Sequence, residues 1–236
     1  MSSTLADPRI ARGMERQNAL RQTRLAAGAK IVGWKVGFGA PAAKEKLRLA
    51  KPLVGFLLDR ALLLNDAEVS LRGWHKPVAE PEIAVYLAHD VAAGADEKTA
   101  RAAIAALGPA IEFADIDCAM DDVEAILSVD IFQRYVVLGP RDATRAGGRL
   151  HGLTARVARS GRDVPVAPDL ESNTGRIVEI VQHVADVAAA TGESLRAGQF
   201  IIAGSLTPPL FLDASDYALT FALDPIGAVS SQVTQN

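Results

Sequence analysis

The chain has 236 residues, 49% of them hydrophobic and 22% charged, with a formal net charge of −3. That composition supports a real core, and Lys and Arg spread evenly over a slightly acidic chain leave no footprint for nucleic acid and no polybasic membrane surface. The N-terminus lacks a basic segment followed by an apolar one, and no apolar run reaches the roughly 18 residues of a membrane span, so a cytoplasmic, soluble protein is expected. A single cysteine, Cys118, precludes an internal disulfide and reads as a small core residue.

In chain order, residues Pro8 to Ala27 predict a helix carrying Ile10, Met14, Leu20 and Leu25 on one stripe, ended by Gly28. Strands are expected at Ile31 to Phe38, Val54 to Leu58, Ala61 to Leu64 and Glu80 to Leu87, with a short helix at Pro41 to Leu49. Ala95 to Leu107 reads as helix, Pro109 to Ile116 and Tyr135 to Leu138 as buried strands, and Met120 to Leu127 as an acidic helix between them. A hairpin turns at Ser160-Gly161-Arg162-Asp163. The clearest helix is Arg176 to Ala190, with Ser172, Asn173 and Thr174 as candidate caps and Gly192 as its stop. Strands at Phe200 to Ala203, Tyr217 to Leu223 and Ile226 to Val233 finish the chain. Without repeat or linker, residues 1–236 are expected to form one catalytic domain, with residues 1–28 as a helical extension.

Three acids interrupt apolar stretches: Glu80 and Glu82 in Ala79-Glu80-Pro81-Glu82-Ile83-Ala84, and Glu112 in Pro109-Ala110-Ile111-Glu112-Phe113. Strand alternation sends Glu80, Glu82 and Ala84 to one face, where adjacent carboxylates repel unless a hard divalent cation such as Mg²⁺ relieves them. The plain alternative is an exposed strand edge. Lys35, in Gly33-Trp34-Lys35-Val36-Gly37, is a lone ammonium within an apolar strand: either it snorkels to solvent, or burial near a cation depresses its pKa and makes it a general base. Together the acids and Lys35 describe proton abstraction beside a carbonyl.

Gly37-Phe38-Gly39-Ala40-Pro41-Ala42, with Asp59 twenty residues beyond Gly39, imitates a dinucleotide fingerprint, but the irregular run of short strands that follows argues against a nucleotide fold. Gly204-Ser205-Leu206-Thr207-Pro208-Pro209 follows an apolar strand and reads either as a holder for a substrate carboxylate or as an ordinary Ser/Thr turn. The four histidines have no ligand-like spacing and no nucleophile beside them.

Taken in order, the segments around Lys35, Glu80-Pro81-Glu82, Glu112 and Gly204-Ser205-Leu206-Thr207 resemble the 2-keto-4-pentenoate hydratase and 4-oxalocrotonate decarboxylase group of the fumarylacetoacetate hydrolase superfamily. The resemblance implies an α+β fold, a mixed β-roll with flanking helices. It implies a lyase, a hydratase or decarboxylase of aromatic catabolism, acting on a small 2-oxo or 2-hydroxydienoic acid through a metal-chelated enolate. Glu80, Glu82 and Glu112 would bind Mg²⁺ or Mn²⁺, Lys35 would be the acid/base, and Ser205, Leu206 and Thr207, with Leu53 and Asp59, would meet the substrate. A homo-oligomer is expected, with a complex with a related enzyme as a further partner. C–C hydrolysis is the less expected branch, because the lid His and Glu of those hydrolases cannot be placed.

Three departures from that pattern bear on activity. Leu53 stands where relatives carry Asp, Asp130 where Asn is expected, and Ala214-Ser215-Asp216 replaces a Gly-Asp turn. The absent acid at Leu53 predicts a more apolar pocket and a substrate with an uncharged far end. The alternative is a catalytically weak or inactive 2-oxo acid-binding subunit that supports an active relative.

Overall fold

The computed structural model describes residues 5–235. The first helix, α1 (Pro8–Ala26), begins with the Asp7 carboxylate accepting the Arg9 N–H and Pro8 in the first helical turn. Its buried face differs from the expected apolar stripe: Gly13, Met14, Gln17 and Arg21 point inward, while Ile10, Leu20 and Leu25 are only partly covered. Arg21 is tolerated there because its guanidinium lies over the Trp34 and Phe56 rings and donates to the Thr191 carbonyl. Gly13 lets the helix approach Leu127 closely, where any Cβ would come within 2.8 Å.

The strands are β1 (Ile31–Gly37), β2 (Leu53–Leu58), β3 (Leu62–Leu63), β4 (Glu68–Ser70), β5 (Pro77–Leu87), β6 (Ile104–Asp115), β7 (Gln133–Leu138), β8 (Thr154–Arg159), β9 (Arg162–Val164), β10 (Phe200–Ser205), β11 (Leu210–Phe211), β12 (Ala218–Asp224) and β13 (Gly227–Thr234). The remaining helices are α2 (Pro41–Leu47), α3 (Glu97–Ala103), α4 (Val123–Ser128) and α5 (Ile177–Ala190). An eight-stranded sheet runs in the order β2-β1-β10-β5-β6-β7-β3 with β11 beside β5, and a five-stranded sheet runs β4-β13-β12-β8-β9. The sheets are mixed, since β1 lies parallel to β10, β3 to β7 and β4 to β13. This is the expected α+β roll. β1 is antiparallel to β2, which removes the parallel βαβ unit that a dinucleotide reading of Gly37-Phe38-Gly39 requires.

Several boundaries moved for identifiable reasons. The expected helix to Leu107 stops at Ala103, because residues from Ile104 onward pair with β5 along its whole length and ladder pairing outweighs their local helix preference. Pro81 sits inside β5 without breaking it. Its carbonyl accepts the Leu206 N–H, so its missing donor faces the gap where the neighbouring strand changes from β10 to β11. Helix α5 is capped by the Glu171 side chain, which accepts the Ile177 N–H, rather than by Ser172, Asn173 or Thr174. The short β4 and β11 have no counterpart among the expected strands.

The larger sheet separates two apolar clusters. One face carries the main core, with Trp34, Val36, Ile83, Val85, Ile111, Phe113 and Ile201 beneath α1 and α5; the other carries Leu57, Ala84, Ala110, Val136, Phe200 and Ile202. The second face is concave. Lys35 on β1 touches Glu112 on β6, although β10 and β5 lie between, and strands that far apart in a flat sheet would be separated by about 14 Å. Among the described residues no helix is long and apolar enough to cross a membrane.

The β1–β10 pairing that places Lys35 depends on Gly33, where a methyl group would run into the Phe200 carbonyl oxygen. Gly33→Ala is expected to cost about 1–3 kcal/mol, read as a lower urea midpoint with an unchanged m-value. An unchanged midpoint would show that the two strands separate freely there.

Candidate active site

The register of the large sheet builds an acidic cluster on its concave face. Glu80 and Glu82 share a face of β5, and Glu80 lies directly opposite Glu112 on β6. One carboxylate oxygen from each of the three lies within 4.8 Å of the others. Glu82 and Glu112 are buried and Glu80 is half-buried. Glu82 is oriented by Gly204, whose N–H donates to Oε2 at 2.6 Å. Gly204 has φ +96° and marks the register break between Ile202 and Ser205, so a bulge that only glycine accommodates easily aims this donor at the acids.

Lys35 is 1% exposed, so the snorkelling alternative does not describe it. Its Nζ donates to Glu112 Oε1 and, at 3.0 Å, to the Ile131 carbonyl. That carbonyl belongs to three successive residues in the left-handed region, Asp130, Ile131 and Phe132, at φ 59°, 52° and 64°. Such a conformation is costly for each residue and most so for β-branched Ile131. It is held by hydrogen bonds: Ile131 N–H donates to the Ile126 carbonyl, Asp115 N–H to the Phe132 carbonyl, and Phe56 N–H to Asp130 Oδ1 at 2.9 Å. Glycine at two neighbouring positions makes the room. A Cβ on Gly37 would lie 2.8 Å from Ile131, and one on Gly55 would lie 2.7 Å from Asp130 and 2.9 Å from the Lys35 stem.

A cavity of about 350 Å³ opens from Glu80. Ser205, Thr207 and Asn173 supply polar groups to its wall, and Phe38, Met120, Phe132 and Pro209 are among its apolar lining. Lys35, Glu82 and Glu112 stand behind Glu80 rather than on the wall. Leu206 is buried, and its carbonyl accepts from Asn173. Leu53 is buried opposite Gly37 and borders a different cavity, with Met14 and His183, so the apolar character of the substrate-sized cavity does not come from it. Asp59 is not brought to the acids; it lies in a short 3-10 turn accepting the Lys30 and Arg60 N–H groups. Asp216 forms a two-pronged ion pair with Arg159, a structural role. Asn173, Phe38 and Met120 carried no sequence signal as wall residues, since they converge from separate loops.

Electrostatics favour a cation here. Burial pushes Glu80 up to about 7 and Glu82 well above the carboxylate range, with the charge of Glu112 adding to both. Burial also pushes Glu112 up, opposed by Lys35. For Lys35 itself burial disfavours the charge, but Glu112, Glu80 and Glu82 outweigh it and hold its pKa above the ordinary value. Without a cation Lys35 is therefore an ammonium; the neutral base is expected only from burial near a cation. Glu112 Oε1 is taken by Lys35, whereas Oε2 is buried without a partner, and an unpaired carboxylate oxygen beside two further acids fits a hard divalent ion.

No family model matches the chain. It is 28% identical over 222 residues to a 2-hydroxyhexa-2,4-dienoate hydratase from Comamonas testosteroni, covering 90% of this chain and 81% of the relative. It is 25% identical over 207 residues to a 4-oxalocrotonate decarboxylase from a Pseudomonas species, covering 84% and 77%. The structure of 4-oxalocrotonate decarboxylase from Pseudomonas putida G7, complexed with magnesium and adipate, superposes with a TM-score of 0.86 at 24% identity, covering 95% of this chain and 86% of that one. Fumarylpyruvate hydrolase from Pseudomonas aeruginosa, in complex with Mn²⁺ and pyruvate, gives a TM-score of 0.68 at 16% identity, covering 86% and 89%. In fold the chain is thus of the fumarylacetoacetate hydrolase type. In sequence it resembles 2-keto-4-pentenoate hydratases and 4-oxalocrotonate decarboxylases, relatives named as hydratases and decarboxylases.

Raised carboxyl pKa values make a stability prediction with a definite sign. Glu80 at about 7 and Asp130 at about 8, the latter raised mainly by burial, keep protons in the folded state that the unfolded chain releases near pH 4. The folded state then binds more protons than the unfolded one, so the metal-free protein should lose stability as pH rises from about 5 to 8. Urea midpoints in chelator should fall across that window, and Glu80→Gln should flatten the fall. A midpoint that holds steady in chelator would contradict the buried acids.

Proposed function

We propose that this chain is a divalent-metal-dependent lyase acting on a small 2-hydroxydienoic or 2-oxo acid, with Glu80, Glu82 and Glu112 as metal ligands and Lys35 as acid/base. The observation that carries this reading is Glu112, one oxygen on a buried ammonium and the other free beside two more carboxylates. A bound Mg²⁺ or Mn²⁺ would offset the three negative charges and stabilise charge developing on the substrate's 2-oxo and carboxylate oxygens. Lys35 holds its proton on Nζ, fixed by Glu112 and the Ile131 carbonyl, and gives it to the substrate carbon that must be protonated as the dienol becomes a ketone. Ser205 and Thr207, at the bulge that also orients Glu82, supply hydrogen-bonding groups for the substrate carboxylate at the acid end of the cavity.

The far wall favours the hydratase branch. Among the described residues no Lys, Arg or His borders this cavity, and beyond Glu80, Asn173, Ser205 and Thr207 its side chains are apolar or small. A decarboxylase of this kind needs a substrate with a second carboxylate, which that wall leaves unpaired. A monocarboxylate such as 2-hydroxypenta-2,4-dienoate or 2-hydroxyhexa-2,4-dienoate places only carbon there.

Turnover of the purified protein with Mg²⁺ should be at least about tenfold more efficient on these dienoates than on 2-oxohex-3-enedioate. The reverse preference would assign the decarboxylase branch. No turnover of either, with oxalate still bound, would assign the non-catalytic subunit.

Two variants test the residue roles. Glu82→Gln should abolish Mg²⁺ binding by calorimetry, and equal affinity in wild type and variant would remove the metal site. Lys35→Met should keep Mg²⁺ binding and lower kcat by roughly a hundredfold or more. Retained activity would reduce Lys35 to packing.

A further inference from the structure

Behind the strand that faces Lys35 lies a second cleft of about 300 Å³, separate from the cavity of the acids and lined by Arg24, Phe56, Arg60, Asp130, Gln133 and Arg134. We propose that this cleft is a binding site for a small carboxylate anion. Gln133 carries the inference: it is 8% exposed, and neither its amide nitrogen nor its amide oxygen has a hydrogen-bond partner. A buried primary amide left unpaired on both atoms is costly unless something in the cleft pairs with it.

The charge of the walls says what that is. Arg24 lies with its guanidinium over the Phe56 ring, and Arg60 donates one hydrogen bond to the Ala27 carbonyl; among the described residues neither has a carboxylate within ion-pair distance. Arg134 is already engaged by Asp115 and Asp117. Two uncompensated guanidinium groups and an amide donor suit a carboxylate, which guanidinium binds through two parallel hydrogen bonds. Inorganic phosphate, which guanidinium also binds, is the competing ligand that the titration separates, and the partnerless Asp130 Oδ2 borders the same cleft.

The site is wired to the catalytic residue. Asp130 forms part of the cleft wall and begins the left-handed turn whose Ile131 carbonyl receives the Lys35 ammonium. An anion in the cleft therefore bears on the turn that positions Lys35. Binding is independent of the proposed reaction, and only this last consequence rests on it.

The test is calorimetric titration of the metal-free protein, kept in chelator, with succinate, so that no cation is present among the acids to hold a carboxylate in the other cavity. Saturable binding with Kd on the order of 1 mM or tighter is expected, with inorganic phosphate binding more weakly. Arg24→Gln with Arg60→Gln should weaken it at least about tenfold, and Glu82→Gln should leave it unchanged. Gln133→Leu removes the unpaired amide, so it should raise the thermal midpoint while weakening succinate. This variant folds whether or not the arginine pair tolerates replacement. No saturable heat at millimolar succinate, or binding that survives both the arginine and the Gln133 variants, would overturn the proposal. Tighter phosphate than succinate would overturn the ligand class.

Discussion

The structure is organised around a charge arrangement that folding alone would not choose: one ammonium and three carboxylates on the concave face of a sheet. A buried ion pair rarely repays its desolvation, and two extra acids beside it make matters worse. Lys35 and Glu112 meet only because the sheet curls across β10 and β5, and Glu80 is forced opposite Glu112 by the β5–β6 register. Each of these is a backbone constraint, set by long ladders on strands whose other face is buried in the main core. The sheet thus holds in place groups that would separate in water. A cation bound among the acids, as proposed above, would relieve this deficit.

A second cost is concentrated in the turn from Asp130 to Phe132. Three successive residues in the left-handed region, one of them β-branched, are held between the end of α4 and the start of β7. Glycine at 37 and 55 removes the side chains that would collide with it. What the strain provides is a second acceptor for Lys35, the Ile131 carbonyl, in addition to Glu112. Held by both Glu112 and Ile131, the ammonium has a fixed position, which the proton-donating role proposed for Lys35 would require.

How much of this could be read from the chain depends on the range of the signal. Glu80, Glu82 and Glu112 were legible because strand alternation and flanking apolar residues are local properties, and Lys35 because a charge between glycines in an apolar strand is conspicuous. The α+β roll followed from many short strands around few helices. Registers were not legible, nor the extension of β6 back to Ile104, since both come from pairing partners far along the chain. The polar face of α1 was hidden because Arg21 is accommodated by rings on β1 and β2. Leu53 illustrates a different limit: its identity suggested a more apolar pocket, but the apolar lining of the cavity beside Glu80 comes from residues such as Phe38, Met120, Phe132 and Pro209, while Leu53 borders another cavity.

That division of labour bears on how one scaffold serves related reactions. The acids and Lys35 sit on the paired strands β1, β5 and β6, where any shift would disturb several ladders at once. Much of the apolar lining comes instead from Phe38 before α2, Met120 in the loop after β6, and the prolines after β10, segments outside the paired strands that carry the acids and Lys35. On the proposed reading, that lining governs whether a second carboxylate is accepted, and the sheet governs the handling of the 2-oxo end. On that reading a single cation placed among Phe38, Met120 and Pro209 would change the substrate class without moving Lys35, whereas an apolar lining such as this one suits substrates charged at one end only.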